Sequence, residues 1–167
     1  EVPLDLVVDF RFSAAHRLPR YVGRCYRMHG HSYRLEVVVS GTPAGDTGMV
    51  VDFHDVEAAA GGVVREADGS CFNDVLDNPT AEAIVVWFWR RLYPDLPSLT
   101  ELRLWETDDC RVVYRGEPVP EAWIEQGLRF GEGVPAVPAA AGYGGLCLAQ
   151  GKNGPCGLLA VLQGVVV

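Results

Sequence analysis

Histidine is scarce in this chain, four in 167 residues, and so is methionine, with two. Several other features are missing, and each absence narrows what the protein can be. No run of about 18–20 apolar residues occurs, so the sequence offers neither a membrane-spanning helix nor a signal peptide. The five cysteines are an odd number and form no CxxC pair. That pattern suits a reducing cytoplasm, with at least one thiol kept for reactivity or for packing. Basic residues are outnumbered, 14 Lys and Arg against 22 Asp and Glu, for a net charge of −8. Such a chain has no broad basic face for nucleic acid. A small anionic substrate is still compatible, because a few local arginines outweigh the global sign. Neither nucleic acid nor membrane is expected as a partner.

What is present reads as an ordinary globular protein: 49% hydrophobic and 22% charged residues, enough for one core plus an appendage. Residues 4–12 alternate, with Leu4, Leu6, Val8, Phe10 and Phe12 on one face and Asp5, Asp9 and Arg11 on the other. Period two over that length predicts a half-buried strand. Further strands are predicted at 29–40 and 49–53. Helices are predicted at 54–66 and from Pro79 onward, the second with Asn78 as N-cap and Ala81, Ile84, Val85, Phe88 and Leu92 as its apolar stripe. Strands at 99–107 and 111–115 close the unit. The order suggests an α+β fold with an antiparallel sheet and helices on one face. The expected domain spans residues 1–128. A Pro/Ala/Gly-rich linker follows at 129–145, and residues 146–167 form an appendage that reads as a truncated second domain.

Half of the histidines lie in Cys25-Tyr-Arg-Met-His-Gly-His-Ser-Tyr33. In a strand, His29 and His31 point the same way and share the apolar face of Tyr33, Leu35, Val37 and Val39. Two imidazoles on an apolar face are costly unless something binds them, and zinc is the natural occupant. His16, ending the first strand, would be the third ligand and would leave an open fourth position, the arrangement of a catalytic zinc. The alternative is two solvent-facing histidines at a strand start and an unrelated third. Cys25, flanked by Arg24 and Arg27 and close to the proposed metal, is a candidate base or nucleophile. Glu106 has the inward parity of Leu102 and Leu104. A carboxylate there either needs a partner, such as a heterocycle with N–H donors, or has reached solvent at the strand end.

Taken together and in order, "FSAAH", "CYRMHGHSY", "MVVDF", "NPTAE" and "ETDDCRVVYRGE" resemble the 6-pyruvoyl-tetrahydropterin synthase / 6-carboxy-tetrahydropterin synthase family, over about residues 4–117. The resemblance implies the tunnelling fold, a four-stranded antiparallel sheet with two helices on one face, joined edge to edge into an oligomeric barrel as trimers or hexamers. It implies zinc on His16, His29 and His31, and Cys25 as the proton-abstracting group. It gives Glu106 as the anchor of the pterin ring, with Thr80 helping to hold it. The implied substrate is 7,8-dihydroneopterin triphosphate. One branch eliminates triphosphate to a 6-pyruvoyl product. The other, in the queuosine pathway, cleaves the side chain to a 6-carboxy product, and "NPTAE" leans the reading that way. The family's Asp-His relay pair falls at Asp68 and Gly69, so the aspartate is kept and the histidine is not. That departure supports a second reading, a non-catalytic zinc-binding oligomer.

The tail segment "QGKNGPCGLLAVLQ" stands apart. Gln150 precedes Cys156 by six residues, and an apolar, helix-like run follows the cysteine. It resembles the stretch of the MINDY deubiquitinases that carries an oxyanion-hole glutamine and a nucleophilic cysteine, which implies a ubiquitin-related partner if the tail belongs to a larger domain. No histidine follows Cys156, so the tail alone is expected to be inert.

Overall fold

A computed structural model describes residues 2–119 and the backbone of residues 147–150. Its first hairpin grows from the alternation already noted. Strand β1 (Leu4–His16) pairs antiparallel with β2 (His29–Gly41), and every inward residue of one meets an inward residue of the other: Val8 with Val37, Phe10 with Leu35, Phe12 with Tyr33. Strands β3 (Leu99–Trp105) and β4 (Cys110–Tyr114) continue the antiparallel sheet, and a short strand β5 (Cys147–Gln150) pairs with β4. The order in space is the order in sequence.

Between β2 and β3 the chain forms α1 (Phe53–Ala67) and α2 (Ala81–Leu92). Helix α1 packs on β1, and α2 packs on β3 and β4. Their apolar sides, Val56, Ala60 and Val64 from one and Ile84, Val85, Phe88 and Leu92 from the other, close over the inner sheet face in a single core. Helix α2 is buried nearly all round, Trp87 and Trp89 included, as its broad apolar stripe requires. The four strands of residues 4–114 with two covering helices are the α+β architecture expected of the tunnelling fold. No helix among the described residues is long and apolar enough to cross a membrane.

Two local expectations are corrected. Residues 49–53 form no strand. Asp52 is instead the N-cap of α1, its side chain accepting the His54 N–H at 2.9 Å, and Phe53 is already helical. The capping carboxylate satisfies a helix-end N–H that a strand would have left to a partner. Helix α2 starts later than expected: Thr80, not Asn78, caps it, accepting the Ala83 N–H at 3.2 Å. Asn78 and Pro79 belong to the turn before it. The linker at 129–145 and most of residues 146–167, including Cys156, lie outside the described residues. The backbone of Gln150 pairs with Cys110.

Candidate active site and metal centre

Register builds the centre. His16 and His29 are direct partners across the β1–β2 ladder, and His31 faces Ala14 one inward position further along. Parity then puts the three imidazoles on the inner face, with ring centroids 4.5, 4.9 and 5.1 Å apart. Two rings are oriented from behind. The His16 Nδ1–H donates to the Pro79 carbonyl at 2.7 Å, and the His29 Nδ1–H donates to the Arg27 carbonyl at 2.7 Å. A carbonyl can only accept, so each Nε2 is left with its lone pair outward. The Nε2 atoms of His16, His29 and His31 are all buried and without a hydrogen-bond partner. Potential ligand atoms of the three side chains lie within 4.8 Å of one another, the one such cluster among the described residues. Three convergent Nε2 atoms without a hydrogen-bond partner, two of them with the lone pair fixed outward, fit a tetrahedral zinc with its fourth position open. Burial, aided by the neighbouring imidazoles, lowers the His16 pKa to about 4, and burial with His29 lowers His31. Both are held neutral, as ligands must be.

One carboxyl group borders the histidines, and a second lies within electrostatic reach of it. Glu106, just past the end of β3, places Oε1 3.5 Å from His16 Nε2 and 3.8 Å from His31 Nε2. Burial first, and then the Glu82 carboxylate, push its pKa up to about 7. With His16 neutral the contact is not a charged pair in the metal-free protein. Glu82 is the residue that sequence reasoning missed. It is 1% exposed in the first turn of α2, and burial raises its pKa against the opposing pull of its own backbone N–H and the Thr80 hydroxyl. A signal existed: Glu82 precedes Val85 and Val86 by three and four residues, so it had to share their buried side. Thr80 is buried beside it and serves as the helix cap.

Cys25 sits in a single turn, Arg24–Tyr26, just before β2. Its carbonyl accepts the Leu18 N–H at 2.7 Å, and the residue is half-buried. The thiol is within electrostatic reach of the Tyr33 hydroxyl, as is Glu106, and burial together with those two neighbours raises the Tyr33 pKa well above its ordinary value. Cys25 and Glu106 therefore both lie near the Tyr33 hydroxyl, and Glu106 also lies beside His16 and His31.

The segment after α1 ties down the edge of the sheet. The Ser13 N–H donates to Asp68 Oδ1 at 2.8 Å, the Gly69 N–H to the Ser13 carbonyl at 2.6 Å and the Ala15 N–H to the Ser70 carbonyl at 2.9 Å. Asn73 brackets the backbone of Arg17 from both sides, at 2.8 and 3.0 Å. Residues 68–73 thus strap the outer edge of β1 where it carries His16. Gly69 has φ +74°, with open space where a Cβ would stand. A side chain there would fit but would hold a left-handed backbone that only glycine adopts freely. His54 is exposed and pairs with Asp52, outside this cluster.

The His16 and Glu106 shifts leave a signature in the metal-free protein, with opposite signs. His16 is lowered from 6.5 to about 4, so in that window the unfolded chain holds the extra proton and stability rises with pH. Glu106 is raised from 4.5 to about 7, so there the folded protein holds the extra proton and stability falls with pH. Each effect is worth on the order of 3 kcal/mol. Glu106→Gln removes only the second. Its stability relative to wild type is expected to grow by about 3 kcal/mol between pH 4.5 and 7, read from urea midpoints in chelator. A pH-independent difference would show that Glu106 titrates normally.

Residues 5–117 match the family model described as 6-pyruvoyl tetrahydropterin synthase. The chain is 38% identical over 107 residues to a 6-carboxy-5,6,7,8-tetrahydropterin synthase of Synechocystis sp., covering 59% of this chain and 83% of that protein. It is 38% identical over 104 residues to a dihydroneopterin monophosphate aldolase of Pyrococcus furiosus (60% and 88% covered). It is 32% identical over 123 residues to a 6-pyruvoyl tetrahydrobiopterin synthase of Dictyostelium discoideum (64% and 91% covered). Among solved structures, the 6-pyruvoyl tetrahydropterin synthase of Caenorhabditis elegans has the same fold, with TM-score 0.64 at 22% identity, over 70% of this chain and 97% of that one.

Proposed function

The chain belongs to the 6-pyruvoyl tetrahydropterin synthase family, and on that premise we propose that it is a zinc-dependent lyase acting on the side chain of 7,8-dihydroneopterin triphosphate to give the 6-carboxy product. The observation that carries this reading is the convergence of three Nε2 atoms without hydrogen-bond partners beside the buried Glu106 carboxyl. The relatives named above all act on, or form, pterins with a modified side chain, as their names state. The reading extends to a role in queuosine-type 7-deazapurine synthesis, in the cytoplasm, as a homotrimer or homohexamer.

Each residue has a task that its surroundings make intelligible. Glu82 and Glu106 present buried acceptors to the N–H donors of the pterin edge, where desolvation strengthens a charge-assisted bond. His16 and His29, held from behind by Pro79 and Arg27, would keep zinc at a fixed place next to the substrate side chain. Zinc, when bound, supplies Lewis acidity that makes protons on the neighbouring side-chain carbons labile. Cys25 takes such a proton. Bond cleavage then follows one of two courses. With water consumed, the side chain leaves as acetaldehyde and triphosphate and the carboxylate remains on the ring. Without it, triphosphate alone is eliminated and the pyruvoyl group remains. Gly69 favours a second reading, a zinc- and pterin-binding oligomer without turnover, because one proton-transfer residue is worth about 10²–10⁴-fold in rate.

Product analysis by mass spectrometry decides. Zinc-loaded protein incubated with 7,8-dihydroneopterin triphosphate is expected to yield 6-carboxy-tetrahydropterin with acetaldehyde in equal amount. The pyruvoyl mass would move the protein to the other branch. Tight pterin binding with no product of either mass would replace the lyase with the binding module.

A further inference from the structure

The geometry points to Tyr33 as a residue that touches the substrate: its hydroxyl donates a hydrogen bond to a side-chain oxygen of the bound pterin. This assignment rests on the pterin reading above. Tyr33 follows His29 and His31 at two-residue spacing on the inner face of β2, so its ring forms the floor of the metal pocket. The ring is fixed. It stacks on Phe12 at 5.0 Å and 12°, and meets His31 at 5.5 Å, Phe72 at 6.1 Å and His16 at 6.3 Å by its edges or theirs. The residue is 1% exposed and its hydroxyl oxygen has no hydrogen-bond partner.

A buried hydroxyl left unpaired is costly, and one fixed this firmly needs a reason. Packing does not supply it, since phenylalanine would stack on Phe12 equally well without burying a polar atom. The Glu106 carboxyl and the Cys25 thiol interact with the hydroxyl electrostatically, yet neither forms a hydrogen bond with it. The hydroxyl therefore lies close to Glu106, Cys25 and the histidines, shut off from solvent with its hydrogen-bonding capacity unspent. In the proposed reaction the substrate side chain would be held among these groups, its carbons towards Cys25 and its oxygens towards the histidines that would hold zinc. A neutral phenol there orients the side chain without adding a charge that would compete with the metal.

The test compares two pterins on zinc-loaded, full-length protein. 7,8-Dihydroneopterin carries the side-chain hydroxyls, and 6-methyl-7,8-dihydropterin has the same ring without them. Tyr33→Phe is expected to bind dihydroneopterin about tenfold more weakly, while binding the methyl compound like wild type and keeping its full zinc content. Unchanged affinity for dihydroneopterin would overturn the assignment. An equal loss for both pterins would also overturn it, by showing a packing role. If wild-type protein binds neither pterin, the substrate reading itself falls and takes the assignment with it.

Discussion

His29→Ala is expected to strip zinc from the protein and to lower turnover by about 10³–10⁴-fold, with the fold intact. The size follows from Lewis-acid stabilisation worth several kcal/mol, at roughly 1.4 kcal/mol for each tenfold in rate. His29 is the informative ligand because it is only half-buried and lies at the start of β2. His16 would be ambiguous, since it is 1% exposed and its Nδ1–H also ties down Pro79. Removing His29 leaves two buried nitrogens, too few for a three-histidine site, and frees the Arg27 carbonyl, which reaches solvent at little cost. Metal analysis after dialysis, circular dichroism and a single-turnover assay measure the three claims. Stoichiometric zinc with wild-type turnover would remove His29 from the centre.

Much of this centre was legible in the sequence, because a strand writes its faces into its alternation. His29, His31 and Tyr33 had to share a side, and the apolar partners of that side identified it as the inner one. What alternation cannot give is register. That His16 lies opposite His29 depends on where the 17–28 segment lets the hairpin close, and only the ladder shows it. The helix starts escape the sequence for a related reason. Asp52 and Asn78 are both good capping residues, and the sequence does not say which polar oxygen will reach a free N–H; Asp52 did, and Thr80 displaced Asn78. Glu82 was overlooked because a charged residue in a first helical turn is ordinarily solvated and favourable to the helix dipole. Here it is buried at 1% exposure. Gly69 was legible as a missing histidine but not as a left-handed residue in a strap that holds the edge of β1. A histidine restored at that site would therefore carry a backbone penalty on the order of 1 kcal/mol.

Glu82→Gln is expected to change affinity and stability in opposite directions, a combination that a purely structural glutamate would not give. In the metal-free, ligand-free protein this carboxyl is 1% exposed, and burial outweighs the help of its own backbone N–H and the Thr80 hydroxyl, so its desolvation is only partly compensated. Glutamine has the same shape and no charge to desolvate, and the variant should gain about 1–2 kcal/mol of folding stability. Binding runs the other way. Two carboxylate oxygens can each accept an N–H from a pterin edge, whereas an amide offers one acceptor and turns an NH₂ donor against the second N–H. Losing a charge-assisted pair and opposing two donors in a dry pocket is expected to lower kcat/KM by about 10²–10⁴-fold. The cause can be isolated further. Because the Glu82 carboxylate helps to raise Glu106 to about 7, its removal should lower the Glu106 pKa, and the pH dependence of zinc binding should move to lower pH with it. Wild-type kcat/KM in Glu82→Gln would leave the buried carboxyl without a ligand and would make Glu106 the lone anchor of the ring. A large loss of kcat/KM accompanied by a fall in stability would instead mark Glu82 as a structural element that the helix needs.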